Sequence, residues 1–175
     1  MKIKVRAYAK LNLFLDITGR LPGGRHSLNI ATQSVDIYDD ITVSVMSTDS
    51  FDCRITCNNP DIPCDEKNIV WKAAKAFFDA TGLAAEIAVD IEKHVPLMGG
   101  MGCSSVDGAG MLVALNELFG KKLDSEALCA VGDKIGADVP LCIKGGTLYS
   151  ITSGDMIAAE CDTNCVFVCI YPDFT

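Results

Sequence analysis

The sequence lacks the features that mark membrane, secreted and nucleic-acid-binding proteins. No uninterrupted apolar run approaches the roughly 20 residues needed to span a bilayer. Residues 1–8 alternate polar and apolar side chains, unlike the continuous apolar stretch of a signal peptide. Lys and Arg number 15 against 23 Asp and Glu, so the net charge is −8, and no basic cluster is present to neutralise a row of phosphates. We expect a cytoplasmic protein that binds neither nucleic acid nor a membrane.

Metal-binding cysteine spacing is also absent, although the chain contains nine cysteines. Their number is odd, no CxxC pair occurs, and no histidine lies at zinc-ligand spacing from them. Cys165 and Cys169 fall in a segment with a strand pattern, where a four-residue spacing places both thiols on one face. We therefore predict free thiols that serve as small hydrophobic residues in a reducing compartment.

The composition is that of one ordinary globular domain. The chain has 175 residues, of which 49% are hydrophobic and 22% are charged. A chain of about 150 residues already buries roughly 70% of its unfolded surface, so no disulfide or metal is needed for stability. No linker, repeat or low-complexity segment divides the sequence. We predict a single domain over residues 1–175.

Hydrophobic patterns predict both strands and helices. Alternation predicts strands over residues 2–8, 12–18, 28–36, 40–46 and 51–56. Helical spacing runs from Asn68 to Gly82, then from the end of a glycine-rich loop to Gly120, and then from Asp124 to Gly136, which we assign as a left-handed cap. Further strands are predicted at 86–92, 141–151 and 165–171. This order indicates an α+β fold with a substantial antiparallel share.

The most distinctive segment is the loop from Pro96 to Ser105, which contains three glycines between a predicted strand and a predicted helix. The glycines let the backbone approach a ligand, and the helix N-terminus directs unpaired N–H groups towards it, which suits phosphate. Ser104 and Ser105 fit either a helix cap or an oxygen ligand for Mg²⁺ or phosphate. An ordinary strand-to-helix turn with a serine cap is the alternative.

Two shorter segments supply charged and polar side chains. Lys10 and Asn12 lie two residues apart in a predicted strand and present a cation and an amide on one face. The alternative is that Lys10 is an ordinary exposed strand residue. Asp138 follows a predicted helix end, where Pro140 favours an extended Val139. The alternative for Asp138 is ordinary turn chemistry.

In this order, the segments resemble the GHMP kinase superfamily, and within it the kinases that act on 4-diphosphocytidyl-2-C-methyl-D-erythritol. The most specific strings are AKLNLFL at residues 9–15 and GADVP at residues 136–140. The likeness also includes residues 17–20, 33–36, 68–74 and 114–116, together with His26, Lys93 and the glycine-rich loop. It implies a two-layer α/β sandwich of the ribosomal protein S5 domain 2-like type. Residues 1–175 would be the N-terminal, ATP-binding domain, with the C-terminal domain absent.

The resemblance also implies an activity and a role for each matching residue. The reaction would transfer the ATP γ-phosphate, with Mg²⁺, to the 2-hydroxyl of the acceptor in non-mevalonate isoprenoid biosynthesis. Asp138 would take the proton from that hydroxyl, and Lys10 would stabilise charge on the phosphoryl group. Asn12, Arg25 and His26 would bind the substrate. The ATP-binding set would be Asn68, Ile69, Lys93, Pro96, Gly99, Gly100, Gly102, Cys103, Ser104 and Ser105, and both serines would also contact Mg²⁺.

Four departures from the family pattern bear on the activity. Arg25 stands where a tyrosine is usual, and its guanidinium would stack on the cytosine instead. Cys103 and Ser104 replace loop glycines, which lowers the expected phosphate affinity. Residues 152–155 replace a Gly-x-Gly-Glu string. The chain also stops near the family's domain junction, so we expect weak or no turnover and an exposed apolar surface that favours self-association.

Two alternative functions follow from these departures. The first is a GHMP-type kinase of another small alcohol, such as homoserine or mevalonate. The second is a nucleotide-binding module without catalysis.

Overall fold

The computed structural model describes residues 1–20, 26–151, 155–160 and 165–170. The chain divides into two compact units. The first contains Met1–Leu11 and Ser34–Gly145, and the second contains Asn12–Gln33 and Gly146–Thr175. Strands β1 (Lys2–Arg20) and β2 (His26–Ser47) each pass through both units and pair with each other. The glycine-rich loop, Lys10 and Asp138 all belong to the first unit.

Both long strands run through breaks that the sequence predicts. Residues 9–11 and 37–39 separate predicted strands, but the chain stays extended through both segments. Asp39 shows why the second prediction was wrong. Its side chain is fully buried, and backbone amides of His94 and Val95 donate to its carboxylate. A buried carboxylate with such donors is tolerated inside a strand.

The first unit contains a parallel crossover next to an antiparallel pair. Strand β3 (Asp52–Cys57) runs parallel to β4 (Glu86–Glu92), with Ile55 opposite Val89, and helix α1 (Ile69–Thr81) connects them. On its other side β4 pairs antiparallel with residues 40–47 of β2, with Val43 opposite Val89. The predicted α+β class with a large antiparallel share is confirmed.

Capping residues explain where α1 begins and ends. The side chain of Asn68 accepts the Val70 N–H at 2.8 Å and so satisfies one of the donors that a helix N-terminus leaves unpaired. Gly82 ends the helix with a left-handed backbone, and its N–H donates to the Phe78 carbonyl. Both ends agree with the predicted bounds.

Helix α2 (Cys103–Leu118) lies at the centre of the first unit. Ten of its 16 residues are buried, which is more than the single apolar face that its sequence predicts. Gly110 lets the sheet approach, because a Cβ there would lie 2.8 Å from Cδ1 of Ile41. The core around α2 also holds Phe77, Ile87 and Leu115, and burying a side chain of this kind contributes about 1.5–3 kcal/mol.

The third and fourth helices follow α2 closely. Helix α3 (Ser125–Asp133) begins at Asp124, whose carboxylate accepts the Ala127 N–H at 2.9 Å, as predicted. Gly136 is not its left-handed cap: α3 ends at Asp133, and Gly136 has no positive φ.

A short helix, α4 (Val139–Lys144), replaces the first part of the predicted strand 141–151. Pro140 lies in the first turn of α4, where its missing N–H has no intrahelical acceptor to lose. The extended conformation predicted for Val139 is therefore wrong.

The second unit adds two strands. Strand β5 (Thr147–Ile151) pairs antiparallel with residues 29–33 of β2, and β6 (Asp155–Ala158), which the sequence did not predict, pairs with β5. Residues 165–170 form no strand, so the prediction for 165–171 is wrong over the described part. Self-association through exposed apolar side chains stays a prediction. The exposed large apolar side chains of this unit include Leu13, Phe14, Leu15, Ile17, Val166, Val168 and Ile170.

The burial of the thiols agrees in part with their predicted use as hydrophobic residues. Cys53 and Cys129 are buried free thiols, whereas Cys64 is exposed. Burial raises the pKa of Cys53 to about 12, so this thiol stays protonated and unreactive at neutral pH.

Within the described ranges, no helix has the length and apolar character needed to cross a membrane.

Asn116 provides a test of what holds α2 to the segment that follows it. Its side chain donates to the Leu123 carbonyl at 2.8 Å and accepts the Leu123 N–H at 3.0 Å, and the residue is buried. We predict that Asn116→Ala lowers the free energy of unfolding by about 1–3 kcal/mol, because it leaves both Leu123 groups unpaired. Urea denaturation measures this.

The matched control is Glu117→Ala, which removes only an exposed ion pair with Lys121. Its expected effect is below about 1 kcal/mol. Equal destabilisation by the two variants would contradict a stabilising role for the Asn116 bonds.

Candidate active site

The glycine-rich loop connects the end of β4 to the start of α2. Met98, Gly100 and Gly102 have positive φ values of 57°, 68° and 81°. Gly102 is the N-cap residue of α2, and no side chain caps the helix. The first backbone N–H groups of a helix have no intrahelical acceptor, so this terminus suits an anion.

The alternative of a serine cap is excluded, because Gly102 is the N-cap residue of α2 and no side chain caps the helix. Cys103 is the first residue of α2, and Ser104 and Ser105 lie within its first turn rather than before it. Ser104 is exposed and Ser105 is half-buried. Their hydroxyls are therefore not used as caps and lie at the same helix end as the loop.

Lys10 contacts both the loop and Asp138. Its backbone N–H donates to the Met101 carbonyl at 3.1 Å, which holds β1 against the loop. Its Nζ lies 3.1 Å from Oδ2 of Asp138, and the side chains are 6% and 38% exposed. The alternative of an ordinary exposed strand lysine is excluded, because Lys10 is buried.

Asp138 occupies the N-cap position of α4 without capping it. Its backbone is helical, with φ −86° and ψ −12°, and its side chain accepts no N–H of α4. The carboxylate instead reaches Lys10. Its geometry is therefore not that of ordinary turn chemistry.

Glycines let these segments approach each other closely. A Cβ on Gly102 would lie 3.3 Å from Cγ and 3.4 Å from Cε of Lys10. A Cβ on Gly136 would lie 3.8 Å from Oγ of Ser105 and 3.9 Å from Cδ1 of Ile69. The strand carrying Lys10, the loop, the first turn of α2 and the Gly136–Pro140 segment therefore meet at one end of α2.

Two residues expected near ATP have structural roles. The Asn68 side chain caps α1 and also donates to the Pro63 carbonyl at 2.6 Å. Ile69 is half-buried and packs against Gly108, where a Cβ would lie 3.1 Å from Cγ1 of Ile69. Asn68 therefore fixes the start of α1, and Ile69 packs α1 against α2.

Lys93 is buried in a charged cluster beneath the loop. Its Nζ donates to Oδ2 of Asp39 at 2.5 Å, to Oδ2 of Asp107 at 2.9 Å and to the Cys103 carbonyl at 3.1 Å. An ammonium has three donors, and all three are used here. The Lys93 ammonium therefore offers no further donor to a nucleotide.

Burial determines how this cluster holds protons. It raises the pKa of Asp107 to about 7, since Lys93 opposes the burial effect only in part and the nearby Asp39 adds to it. For Lys93, burial alone lowers the pKa, but the charges and hydrogen bonds of both carboxylates outweigh it and raise the pKa. Oδ1 of Asp107 is buried with no partner in the described part of the chain.

Sequence patterns did not indicate a role for Asp39 or Asp107. Asp39 falls between two predicted strands, and Asp107 falls inside the buried run of α2. For Asp107 the sequence did contain a signal of a buried charge, namely a carboxylate among the apolar residues of a predicted helix. Sequence spacing gave no signal that Lys93 would meet them, because the partners lie 54 and 14 residues away.

The predicted substrate residues belong to the second unit. Asn12 is an exposed residue of β1 in the second unit, and His26 is the first residue of β2. Arg25 and the His26 side chain lie outside the described residues, as do residues 152–154 of the altered Gly-x-Gly-Glu string. Their predicted contacts with a substrate stay predictions.

Comparisons with known proteins show which family this chain is similar to. The model of the GHMP kinases N terminal domain matches residues 68–146. A 4-diphosphocytidyl-2-C-methyl-D-erythritol kinase from Clostridium acetobutylicum is 36% identical over 173 residues, which are 98% of this chain and 61% of the relative. A kinase of the same name from Clostridium novyi is 41% identical over 152 residues, 87% of this chain and 53% of the relative. The chain spans a little over half the length of these relatives.

Solved structures show the same fold. A crystal structure of 4-(cytidine 5'-diphospho)-2C-methyl-D-erythritol kinase matches with a TM-score of 0.69 and 27% identity over 85% of this chain and 51% of its own. Homoserine kinase from Cytophaga hutchinsonii matches with a TM-score of 0.71 over 93% and 53% of the two chains, and at 22% identity it shows the fold alone. The fold implied by the sequence resemblance is confirmed. Residues 68–146 match the N-terminal domain of the GHMP kinases, and the chain as a whole is similar to kinases of that family.

Proposed function

We propose that this chain is a cytoplasmic kinase that transfers the γ-phosphate of MgATP to the 2-hydroxyl of 4-diphosphocytidyl-2-C-methyl-D-erythritol, a step of non-mevalonate isoprenoid biosynthesis. The observation that carries the proposal is the Lys10–Asp138 pair at the uncapped N-terminus of α2. The names of the relatives at 36–41% identity support this acceptor.

The ionic pair supplies the groups that the transfer needs. Asp138 is 38% exposed, so a hydroxyl can reach its carboxylate and give up its proton there as the phosphoryl group arrives. Lys10 is almost fully buried 3.1 Å from that carboxylate, and its charge is worth more there than in water. Phosphoryl transfer depends mainly on positioning and charge stabilisation, so a carboxylate that accepts the proton and a lysine that stabilises charge are the chemical groups that it requires.

The loop and the first turn of α2 fit the phosphates of ATP. The helix N-terminus carries no side-chain cap, and the positive φ of Gly102 turns the backbone into the helix without a Cβ in the way. The N–H groups of Cys103, Ser104 and Ser105 would bind phosphate oxygens. In this proposal Pro96, Gly99 and Gly100 complete the loop, and Asn68, Ile69 and Lys93 lie around the adenine, with the Lys93 ammonium also donating to the Cys103 carbonyl at the end of the loop.

Magnesium fits the same helix end. The Ser104 and Ser105 hydroxyls are hard oxygen donors within the first turn of α2 and are not used as caps. Mg²⁺ prefers oxygen ligands and usually binds through a few protein oxygens together with phosphate oxygens. The ion would neutralise charge that develops on the phosphates, while Asn12, Arg25 and His26 would hold the cytidylyl group.

Replacing Asp138 tests the assigned proton acceptor. We predict that Asp138→Asn lowers the rate of acceptor phosphorylation by about 10²–10⁴-fold, because the amide cannot take the proton. Mass spectrometry of the acceptor after incubation with MgATP measures the product. The matched control is Asp79→Asn, a surface residue of α1 paired with Lys75, and it should retain the rate of the unaltered chain. Product formation by Asp138→Asn at the unaltered rate would contradict the assignment.

Replacing Gly102 tests the packing of the loop against Lys10. Gly102→Ala adds a Cβ 3.3 Å from Cγ of Lys10 at a φ of 81°, so it strains the backbone and displaces the lysine. Gly120→Ala introduces a similar φ of 79° with open space around the Cβ. Each strained backbone costs about 1–2 kcal/mol of stability.

We expect the two glycine variants to be destabilised to a similar extent, but only Gly102→Ala to lose MgATP affinity and phosphorylation, by about tenfold or more. Thermal unfolding and calorimetric titration with MgATP measure the two quantities. A Gly102→Ala chain with normal affinity and rate would show that its loop position is not part of the site.

A further inference from the structure

Asp39 fastens the start of the glycine-rich loop to β2. Its Oδ1 accepts the backbone N–H of His94 at 2.6 Å and that of Val95 at 2.8 Å. Its Oδ2 accepts from the Lys93 ammonium, and its side chain is fully buried. A planar carboxylate with three donors in fixed directions leaves little freedom to the two residues that precede Pro96.

Lys93 fastens the other end of the loop to the same place. Its ammonium donates to the carbonyl of Cys103, the first residue of α2, and to the carboxylate of Asp107 one turn later. The side chains of Lys93 and Asp107 are 2% and 5% exposed. Both ends of the loop, eight residues apart in sequence from Val95 to Cys103, are therefore attached to one buried ammonium and its carboxylates.

A buried cluster of this kind is a poor source of stability. Taking three ionisable groups out of water costs several kcal/mol for each ion, and well-packed apolar residues of the same volume often give equal or greater stability. Hydrogen bonds to charged groups differ from apolar contacts because they fix direction as well as distance. The cluster is therefore better explained by the geometry that it imposes on the loop.

We propose that Asp39, Lys93 and Asp107 form a clamp that positions the loop and the first turn of α2, so that their backbone N–H groups face the phosphates of a bound nucleotide. The three are positioning residues that act through His94, Val95 and Cys103, and none of them contacts the nucleotide through its side chain. This inference rests on the proposed function.

Asp39→Asn provides the test, since it keeps the shape of the side chain. Whichever way the amide is oriented, either Lys93 or the two loop amides lose an acceptor oxygen. We expect hydrogen exchange of residues 94–103 to accelerate by about tenfold or more without ligand, and the Kd for MgATP to rise by a similar factor. Exchange in α1 should not change, which separates loop release from general loosening of the fold.

The control is Asp40→Asn, the next residue of the same strand, whose carboxylate is 14% exposed and pairs with Lys4 rather than with the loop. We expect this variant to leave loop exchange and MgATP affinity unchanged. Asp107→Asn gives the same test if Asp39→Asn does not fold, because it also removes one carboxylate from Lys93 and keeps the side-chain volume. Lys93→Met combined with Asp39→Asn should weaken MgATP binding no more than Lys93→Met alone, since the residues act as a unit.

The outcomes separate the clamp from the proposed function. Unchanged loop exchange in both carboxylate variants overturns the clamp. Faster exchange with unchanged MgATP affinity overturns its role in nucleotide binding. Absence of MgATP binding by the unaltered chain contradicts the proposed function instead, and loop exchange alone then decides whether the three residues hold the loop.

Discussion

The first turn of α2 is the constraint on which the rest of the site depends. A helix leaves its first N–H groups without intrahelical acceptors, and in most helices a side chain or water satisfies them. In α2 the N-cap is Gly102, and no side chain takes that place. The first turn is instead held by the buried ammonium of Lys93, which donates to the Cys103 carbonyl and to the carboxylates of Asp39 and Asp107. An anion at this terminus would complete the hydrogen bonding that the fold leaves open.

Two lysines in the same unit serve different purposes because their surroundings differ. The ammonium of Lys93 uses its three donors on two buried carboxylates and one carbonyl, so its charge is neutralised within the fold. Lys10 is equally buried, but its carboxylate partner Asp138 is 38% exposed. The carboxylate of this second pair is thus accessible from outside, and in the proposed function it is the one that the acceptor hydroxyl reaches. Burial holds the Lys10 ammonium in place, and the partial exposure of Asp138 leaves its carboxylate accessible as a proton acceptor in the proposed reaction.

Sequence patterns predicted the elements whose causes are local. Asn68 and Gly82 cap α1 and Asp124 caps α3, because capping depends on residues within one turn. Strand β4 agrees with its alternation over residues 86–92. The long strand β2 was predicted as two strands, since its continuity depends on distant donors to Asp39. Helix α4 was missed because tertiary packing of Val139 and Leu141, both buried, overrides the strand-like composition of that segment.

The candidate site shows the same division between local and distant causes. Resemblance to a family placed Lys10 and Asp138 in one reaction, and the structure puts their charged groups 3.1 Å apart although 128 residues separate them in sequence. It also expected Lys93 beside the nucleotide, yet a motif records that a lysine is present and not which way it points. The direction is set by Asp39 on β2 and Asp107 on α2, two elements whose approach no local pattern encodes. In the function proposed for this chain, Lys93 therefore serves the nucleotide through the backbone that it holds in place.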